Sequence, residues 1–330
     1  MIAWLIRRLL VATGVTVVVV ALVFFLVNAV GDPAVATLGP NAGPEQIADF
    51  ERKNGLDEPV LQQFASYLGV VPCVRDASPV AAEGGHCGLL QGDFGESFSH
   101  NEPVSTVIAH RLPRTLLLGV VAMIFELIFG LGVGILAAVR RNTWIDTGLM
   151  ALAFLGISLP SFVTGPLFLS WFGFRFGWFP LGGYGVDFWD HVYHSILPAF
   201  TLAIIGAATY ARVMRGELVE TLRSDFVRTA AAKGLPPSRV VGHAIRNALL
   251  PVVTLFGLSL PLLVAGAIIT EKIFGWPGMG SLAIESIVNL DAPTVMGVVV
   301  VFAIAVQVGN LLADVAVALL DPRVRVEKSG

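Results

Sequence analysis

Six long stretches of this sequence carry no charged residue, or only one. They span residues 9–31, 115–139, 147–174, 195–211, 247–270 and 292–313. Glu126 is the one charge among them. A helix needs about 20 apolar residues to cross the hydrocarbon core of a membrane, and segments of about 17 suffice. Lipid also requires every backbone polar group to be paired within its segment, which favours helices. The sequence therefore predicts an all-α, polytopic membrane protein with six transmembrane helices.

Composition and charge point to the same class. Only 14% of the 330 residues are charged, whereas soluble domains average about a quarter. The net charge of −3 gives no reason to expect a nucleic-acid partner. Lys and Arg concentrate in cytoplasmic loops, and two cytoplasmic termini place fourteen of the 21 basic residues inside. A cleaved signal peptide is the alternative for the first stretch, but its 23 uncharged residues favour a retained span.

The chain is predicted to contain four consecutive segments. They are a first transmembrane helix (1–31), an extracytoplasmic subdomain (32–110), a transmembrane core with spans two to six (111–320) and a cytoplasmic tail (321–330). Cys73 and Cys87 both fall in the extracytoplasmic segment, 14 positions apart. In an oxidising compartment they are expected to form one disulfide, and two independent buried thiols are the alternative.

The connection between the fourth and fifth spans, residues 212–246, is too long for a turn and has a helical pattern. The hydrophobic residues that recur every four positions, as on one face of an amphipathic helix, are Leu218, Leu222 and Phe226. Gly234 is a predicted helix stop, and Pro236 and Pro237 prevent direct continuation. The charges around this stripe have mixed sign, so we expect the helix to dock on a protein rather than on anionic lipid.

The same connection resembles the cytoplasmic EAA loop of binding-protein-dependent ABC importer permeases. Residues 226–235 read FVRTAAAKGL and residues 243–251 read HAIRNALLP, similar to the version in dipeptide, oligopeptide and nickel permeases. The glycine and the downstream Asn-Ala-Leu-Leu-Pro lie at the expected spacing. The Glu that gives the loop its name is replaced by Arg228, so no argument here rests on that acidic residue.

Six further segments are similar to the same subfamily, in order along the chain. They are GDFGES at 92–97, RLPRTL at 111–116, GISLPSF at 156–162, WFPLGGY at 178–184, EKIFGWPGMG at 271–280, and Asp314 with DPRVR at 321–325. Each segment is weak evidence alone. With the loop they make seven matches that cover nearly the whole chain, and the chain resembles type I ABC importer permeases with a long first extracytoplasmic loop.

The resemblance implies a permease subunit of a peptide importer in the bacterial inner membrane. The implied partners are a second homologous permease, two ABC ATPase subunits, an extracytoplasmic substrate-binding protein and the lipid bilayer. The loop would dock on an ATPase and couple ATP hydrolysis to alternating access. The residues implied in this coupling are Phe226, Arg228, Thr229, Ala230, Lys233 and Gly234. No metal or cofactor is implied for this chain, while the ATPases would use ATP and Mg.

The residues support this division of labour independently, because the sequence contains no GxxxxGK[ST] phosphate-binding motif. The chain is therefore predicted to be a transport subunit and not an enzyme. Glu126 is a candidate to line the pathway or to contact a substrate amine, and the alternative is a protonated or hydrogen-bonded Glu that faces another helix. Glu271, beside the outer end of the fifth span, is a candidate for an outer gate.

Two alternatives to a peptide importer stay open. Within the subfamily, the cargo is a nickel complex or glutathione instead of a di- or oligopeptide. From another class, a secondary transporter would use Glu126 without ATPases, although it leaves the patterned loop unexplained. An intramembrane enzyme has no support, because neither HExxH nor GxSxG occurs in the sequence.

Overall fold

A computed structural model of the chain describes residues 2–31, 33–39, 41–70, 88–265 and 267–320. These residues form helices and loops, without a β-strand among them. The α-helices are α1 (Ile2–Val30), α2 (Pro33–Leu38), α3 (Pro44–Lys53), α4 (Val60–Leu68), α5 (Val104–Val139), α6 (Trp144–Ser158), α7 (Ser161–Phe168), α8 (Phe188–Thr221), α9 (Asp225–Ala232), α10 (Pro237–Ala265), α11 (Ile268–Ile273), α12 (Met279–Val288) and α13 (Ala292–Leu320). A 3-10 helix at Leu89–Gln91 and a π-helix at Leu169–Arg175 also occur. The predicted all-α class is confirmed.

Four helices are long and apolar enough to cross a membrane over the described residues, namely α1, α5, α8 and α13. A fifth candidate is α6 together with α7 and the π-helix that continues it. The other predicted span, 247–270, begins in α10 and is described as helix as far as Ala265. The predicted spans therefore correspond to helices of the structure, although most of these helices extend beyond the charge-free runs.

The third predicted span is broken into two helices. α6 and the segment Ser161–Arg175 meet at an angle of 106°. Leu159 at the break has φ −95° and ψ 114°, an extended conformation expected before a proline because the proline ring clashes with a helical neighbour. Pro160, with φ −64° and ψ 149°, precedes the new helix. The motif at residues 156–162 therefore encodes a sharp corner and not a straight span.

The chain divides into two compact units, and the first comprises Met1–Arg114 with Gly278–Ile304. A hydrophobic cluster in this unit joins α1 and α4 to α13. Its members include Val20, Phe24, Phe64, Tyr67, Met296 and Val300. The ring centroids of Phe24 and Phe64 lie 5.1 Å apart. In the described part of the segment after the first span, α4 therefore packs on α1.

The domain boundary predicted after residue 110 falls inside α5 and stays a prediction. This helix already begins at Val104. The first turns of α5 are stabilised by a buried cluster with α12 and α13, whose members include Val104, Val107, Ile108, Met279, Leu282 and Val298. Arg111 and Arg114 precede the charge-free run 115–139, but they lie inside the helix. Charge patterning alone therefore places the start of this helix too late.

The second unit comprises Thr115–Pro277 with Ala305–Gly330, and α8 contributes to its buried core together with α9, α10 and the end of α5. Gly130 and Gly134 lie one turn apart on α5. A Cβ atom at Gly134 would come within 2.7 Å of the Ala211 carbonyl oxygen on α8. Small residues let membrane helices approach closely. The two helices therefore pack with their backbones almost in contact along this stretch.

Candidate functional site

The connection between α8 and α10 contains the short helix α9 and a glycine corner. Gly234 has a φ of +81°, a left-handed conformation that residues with a Cβ atom adopt only at a cost. A Cβ atom there would meet nothing within 4 Å, so the backbone conformation and not the space requires glycine. The Gly234 N–H donates to the Ala231 carbonyl at 3.0 Å and closes the helix. The helix stop predicted at Gly234 is present.

Helix α9 buries one side and exposes the other. Val227 is only 4% exposed and belongs to a hydrophobic core whose other members include Met214, Leu218, Ala244, Ala248 and Val252. Phe226, its neighbour in sequence, is 46% exposed. The remaining predicted coupling residues are exposed or half-buried, namely Arg228, Thr229, Ala230, Lys233 and Gly234. Val227 thus anchors α9 to α8 and α10, while Phe226 and its polar neighbours form a free surface in this chain.

The single hydrophobic stripe predicted over Leu218, Leu222 and Phe226 is wrong. Leu218 lies on α8 and is fully buried, Leu222 follows the last residue of α8, and Phe226 lies on α9. The helix is interrupted where the Ser224 hydroxyl donates to the Thr221 carbonyl at 2.6 Å, a local hydrogen bond that competes with helix continuation. A four-residue spacing does not align side chains across such an interruption.

An ion pair joins the start of α6 to α8, near the end that leads into α9. Arg215 donates to the Asp146 carboxylate from Nε at 2.5 Å and from Nη2 at 2.7 Å. The backbone N–H of Asn142 donates to the same carboxylate at 3.0 Å. The Asp146 side chain is 5% exposed and that of Arg215 is 31% exposed. No local sequence pattern indicates this pair, because its members are 69 positions apart.

Glu271 is completely buried on α11. The Thr115 hydroxyl of α5 donates to its Oε1 atom at 2.6 Å. The Glu271 carbonyl also accepts from the Trp276 N–H at 2.8 Å. In this structure the carboxylate therefore connects α5 with α11 from inside the protein. The role of Glu271 at an outer gate stays a prediction.

Two of the motif segments, WFPLGGY and EKIFGWPGMG, meet in the structure. The Gly183 N–H donates to the Phe274 carbonyl at 3.1 Å. A Cβ atom at Gly182 would come within 2.6 Å of the same oxygen, so this close approach requires glycine. The rings of Tyr184 and Trp276 pack edge to face with centroids 5.0 Å apart. Neither contact is visible in the sequence, since the segments are separated by α8, α9 and α10.

Glu126 lies in the middle third of α5 and faces the middle third of α8. Gly206 of α8 lies so close to the Glu126 carboxyl group that a Cβ atom at residue 206 would overlap it. Glu126 is half-buried. Among the described residues its carboxyl group has no hydrogen-bond or ion-pair partner. The structure therefore leaves Glu126 between two packed helices without a counter-charge from this part of the chain.

Comparison with known proteins decides the family. Residues 130–326 match the family described as "Binding-protein-dependent transport system inner membrane component". Residues 1–119 match "Binding-prot-dependent transport system membrane comp, N-term". The first match alone covers more than half of the chain. This chain belongs to that family.

The permease has relatives that match over almost its whole length. It is 36% identical to "Oligopeptide transport system permease protein AppB" of Bacillus subtilis, over 98% of this chain and 99% of that protein. It is 38% identical to "Glutathione transport system permease protein GsiC" of Salmonella choleraesuis, again over 98% and 99%. The protein of the same name in Escherichia coli K12 is 37% identical over the same shares.

A solved structure supports the fold of the permease. A chain of the inward-facing MetNI methionine ABC transporter superimposes with a TM-score of 0.55 and 19% identity. The match covers 65% of the permease and 96% of that chain. At this identity the likeness shows the fold alone. The predicted type I ABC importer permease fold is confirmed by this match and by the family.

Asp291 is a residue of the permease that no sequence pattern indicates. It is fully buried before α13 and accepts five hydrogen bonds. The Ser97 hydroxyl donates at 2.6 Å, the N–H groups of Phe98 and Ser99 at 3.2 and 3.3 Å, and Thr294 through its N–H and its hydroxyl at 3.3 and 2.9 Å. Ser97 is the serine of the GDFGES motif, so Asp291 explains why that motif ends in a hydroxyl residue.

The glycine of the same motif is explained by its backbone. Gly95 has a φ of +81°, and its N–H donates to the Asp93 side chain at 2.9 Å. The Gly95 carbonyl accepts from the Val104 N–H at 3.0 Å at the start of α5. Cys73 and Cys87 lie outside the described residues, and their disulfide stays a prediction.

Proposed function

We propose that this permease is the transmembrane subunit of an ATP-driven importer for di- or oligopeptides delivered by an external binding protein. The observation that carries the proposal is full-length identity of 36–38% to permeases of oligopeptide and glutathione transport systems. Oligopeptides and glutathione share peptide bonds and a free amino group. Glutathione is therefore the nearest alternative cargo, and a nickel complex is a further one.

The exposed side of α9 is the surface that we assign to a partner ATPase. Phe226 places a large aromatic side chain on this side, 46% exposed. Arg228 and Thr229 add exposed polar groups beside it. An exposed aromatic residue with polar neighbours is typical of the anchor of a protein interface. Hydrolysis of ATP and binding of Mg belong to the two ATPase subunits in this proposal.

The hydrophobic core behind α9 gives a physical route for coupling. Val227 packs against α8 and α10, so a displacement of α9 moves side chains of both helices. The pair Asp146 and Arg215 passes the same displacement to α6. The proposal places both chain termini and α9 in the cytoplasm of a bacterial inner membrane. A second homologous permease completes the pathway.

The experiment that tests the assembly is purification of the tagged permease from its native membrane in mild detergent. The variants are Gly234→Pro, which the φ of +81° at residue 234 does not allow, and Phe226→Ala, which removes only an exposed ring. The matched control is Gly216→Ala, because a Cβ atom there meets nothing within 4 Å. We expect two ATPases and a second permease to copurify with wild type and the control.

Both coupling variants are expected to lose the ATPases while they keep the second permease. Phe226→Ala distinguishes loss of the interface from misfolding, since its thermal unfolding should match that of wild type. A wild-type chain that purifies without any ATPase contradicts the proposal. So does uptake that continues without ATP, which supports secondary transport through Glu126.

Cargo is tested in proteoliposomes that contain the purified complex, its binding protein and ATP. The three probes are trialanine, glutathione and a nickel complex. We expect ATP-dependent uptake of trialanine to be the fastest of the three. Faster uptake of glutathione or of nickel would replace the peptide assignment by one of the two alternatives.

A further inference from the structure

Glu126 is an acidic group that the proposed coupling route does not use. It lies in the charge-free run 115–139, where an ionisable side chain is rare and marks a functional site by default. Its carboxyl group has no hydrogen-bond or ion-pair partner among the residues that the structure describes. The fold shows that this chain can pair such groups, since Asp146 and Glu271 in the same unit both have partners.

The space around the carboxyl group is created by glycine. Gly206 on α8 is the residue that would overlap Glu126 if it carried a Cβ atom. One turn further along α5, Gly130 would place a Cβ atom 2.6 Å from that of Tyr210. The helices are thus packed tightly beside Glu126, and Gly206 leaves room for the carboxyl group between them. A larger residue at 206 would displace it.

Aromatic rings of α5 and α8 pack together close to Glu126 along the two helices. The centroid of Phe200 on α8 lies 6.3 Å from that of Phe125 and 5.6 Å from that of Phe129, which flank Glu126 on α5. Apolar surroundings strengthen the attraction between opposite charges because they screen it weakly. Aromatic faces also attract cations. A cation that reaches this level of the helix pair therefore finds the Glu126 carboxyl group and nearby aromatic rings.

We propose that Glu126 is an ammonium-binding residue, which pairs with the free α-amino group of the peptide cargo as it crosses the membrane. This inference rests on the proposed function, since it names the group of the cargo that the permease recognises. A carboxylate in an apolar environment is stabilised by an ammonium group that supplies both a charge and hydrogen-bond donors. The cargo is the component of the complex that brings such a group into the transmembrane region and then leaves.

The test uses the complete complex in proteoliposomes with ATP and the binding protein. The probes are trialanine, which has a free amino group, and N-acetyl-trialanine, in which that amino group carries no charge. The readout is the trialanine rate divided by the N-acetyl-trialanine rate, with the detection limit used for a rate too low to measure. The variants are Glu126→Gln, Glu126→Asp and Gly206→Ala. The control in the same helix pair is Thr209→Val, because the half-buried Thr209 of α8 donates only to the Ile205 carbonyl of its own helix.

Glu126→Gln keeps the volume of the side chain and removes its charge. We expect it to lower the ratio about tenfold or more, the loss typical of one charge-assisted hydrogen bond. Gly206→Ala should lower the ratio as well, because its methyl group displaces the carboxyl group. Glu126→Asp keeps the charge and should retain a ratio above that of Glu126→Gln. Thr209→Val should match wild type, and ATPase activity without cargo should be unchanged in every variant.

A ratio for Glu126→Gln within twofold of wild type overturns the inference. A parallel loss of both peptides, or a loss of cargo-free ATPase activity, also overturns it, since the carboxyl group would then pair with the second permease or hold the helices together. Failure of the proposed function looks different, because wild type itself would then show no ATP-dependent uptake of either peptide.

Discussion

Asp291 and Glu126 are acidic side chains withdrawn from the surface in two different units of the permease, and their surroundings are opposite. Asp291 is completely buried and accepts five hydrogen bonds from three residues of one loop and from Thr294. Glu126 is half-buried between two helices, and the described residues supply it with no donor. The Asp291 carboxylate holds the loop of residues 97–99 against the start of α13. The Glu126 carboxyl group can still accept hydrogen bonds, because the described residues donate none to it.

Asp146 and Glu271 resemble Asp291 in this respect. Asp146 accepts from Arg215 and from the Asn142 N–H, and Glu271 accepts from Thr115. A buried charge without partners destabilises a protein, so structural carboxylates are expected to carry donors. A missing donor, and not burial alone, therefore distinguishes an acidic residue available for a ligand from one that stabilises the fold. Four substitutions test this distinction through stability.

The largest effect is expected for Asp291→Ala. This change takes the Asp291 carboxylate away from three buried donors, namely the hydroxyls of Ser97 and Thr294 and the Thr294 N–H. Each buried group that loses its acceptor costs about 1–3 kcal/mol. We expect a loss of about 3 kcal/mol or more of unfolding free energy, measured by thermal unfolding in detergent. The matched control is Asp187→Ala, because Asp187 is an exposed residue that caps α8 through one hydrogen bond. Its expected loss is about 1 kcal/mol. Equal shifts in the two variants would contradict the importance of the Asp291 network.

The second effect is expected for Arg215→Ala, which leaves the Asp146 carboxylate with the Asn142 N–H alone. A double-mutant cycle with Asp146→Asn should give a coupling of about 1–2 kcal/mol, reduced by the partial exposure of Arg215. The control pair is Arg228 with Asp225, 3.9 Å apart with side chains 75% and 99% exposed. An exposed pair of this kind contributes close to nothing. A coupling between Arg215 and Asp146 as small as that of the control would show that the pair does not stabilise the fold.

A smaller effect is expected for Thr115→Val, which keeps the shape of the side chain and removes one donor to Glu271. Loss of one hydrogen bond to a buried charged group costs about 1.5 kcal/mol. The control is Thr209→Val, since the exposed Thr209 hydroxyl donates only to the Ile205 carbonyl of its own helix. Thermal unfolding should shift for Thr115→Val and stay at the wild-type value for Thr209→Val. The same shift in both variants would show that the hydrogen bond from Thr115 to Glu271 does not stabilise the protein.

The smallest effect on stability is expected for Glu126→Gln. Because the described residues give Glu126 no donor, removal of its charge should leave the unfolding free energy within about 0.5 kcal/mol of wild type or raise it. The same thermal unfolding measurement checks this. A loss of unfolding free energy comparable to that of Asp291→Ala would contradict this expectation, since it would show that Glu126 also stabilises the fold. Glu126→Gln is thus expected to change transport with little effect on stability, whereas Asp291→Ala is expected to lower stability strongly.

The sequence was sufficient to predict what depends on composition and local pattern. Charge-free runs located the long helices, and Gly234 marked the end of α9 because a left-handed backbone conformation has a strong residue preference. The motif GISLPSF was recognised, but the 106° bend that it encodes was not. Proline in a membrane helix is compatible with a slight kink or with a complete break, and the surrounding packing decides between them.

The polar partners could not be predicted from the sequence, because they depend on contacts between distant positions. Ser97 and Asp291 are separated by 194 positions, and Thr115 and Glu271 by 156. No local pattern reports such pairs in a single sequence. Glu126 was identified for the opposite reason, because a charge within an apolar run is visible without knowledge of its neighbours. Gly206, which makes room for it, is one glycine among 35 and carries no such signal.

Helix α8 runs without interruption for 34 residues, from Phe188 to Thr221. At 1.5 Å per residue it is a rod about 50 Å long, enough to reach from one membrane surface to the other. A rod of that length converts a tilt of a few degrees at one end into a displacement of several ångström at the other. Gly206 lies near its midpoint, and the end at Thr221 leads directly into α9. A tilt of α8 therefore changes the space beside Glu126 and the position of α9 together.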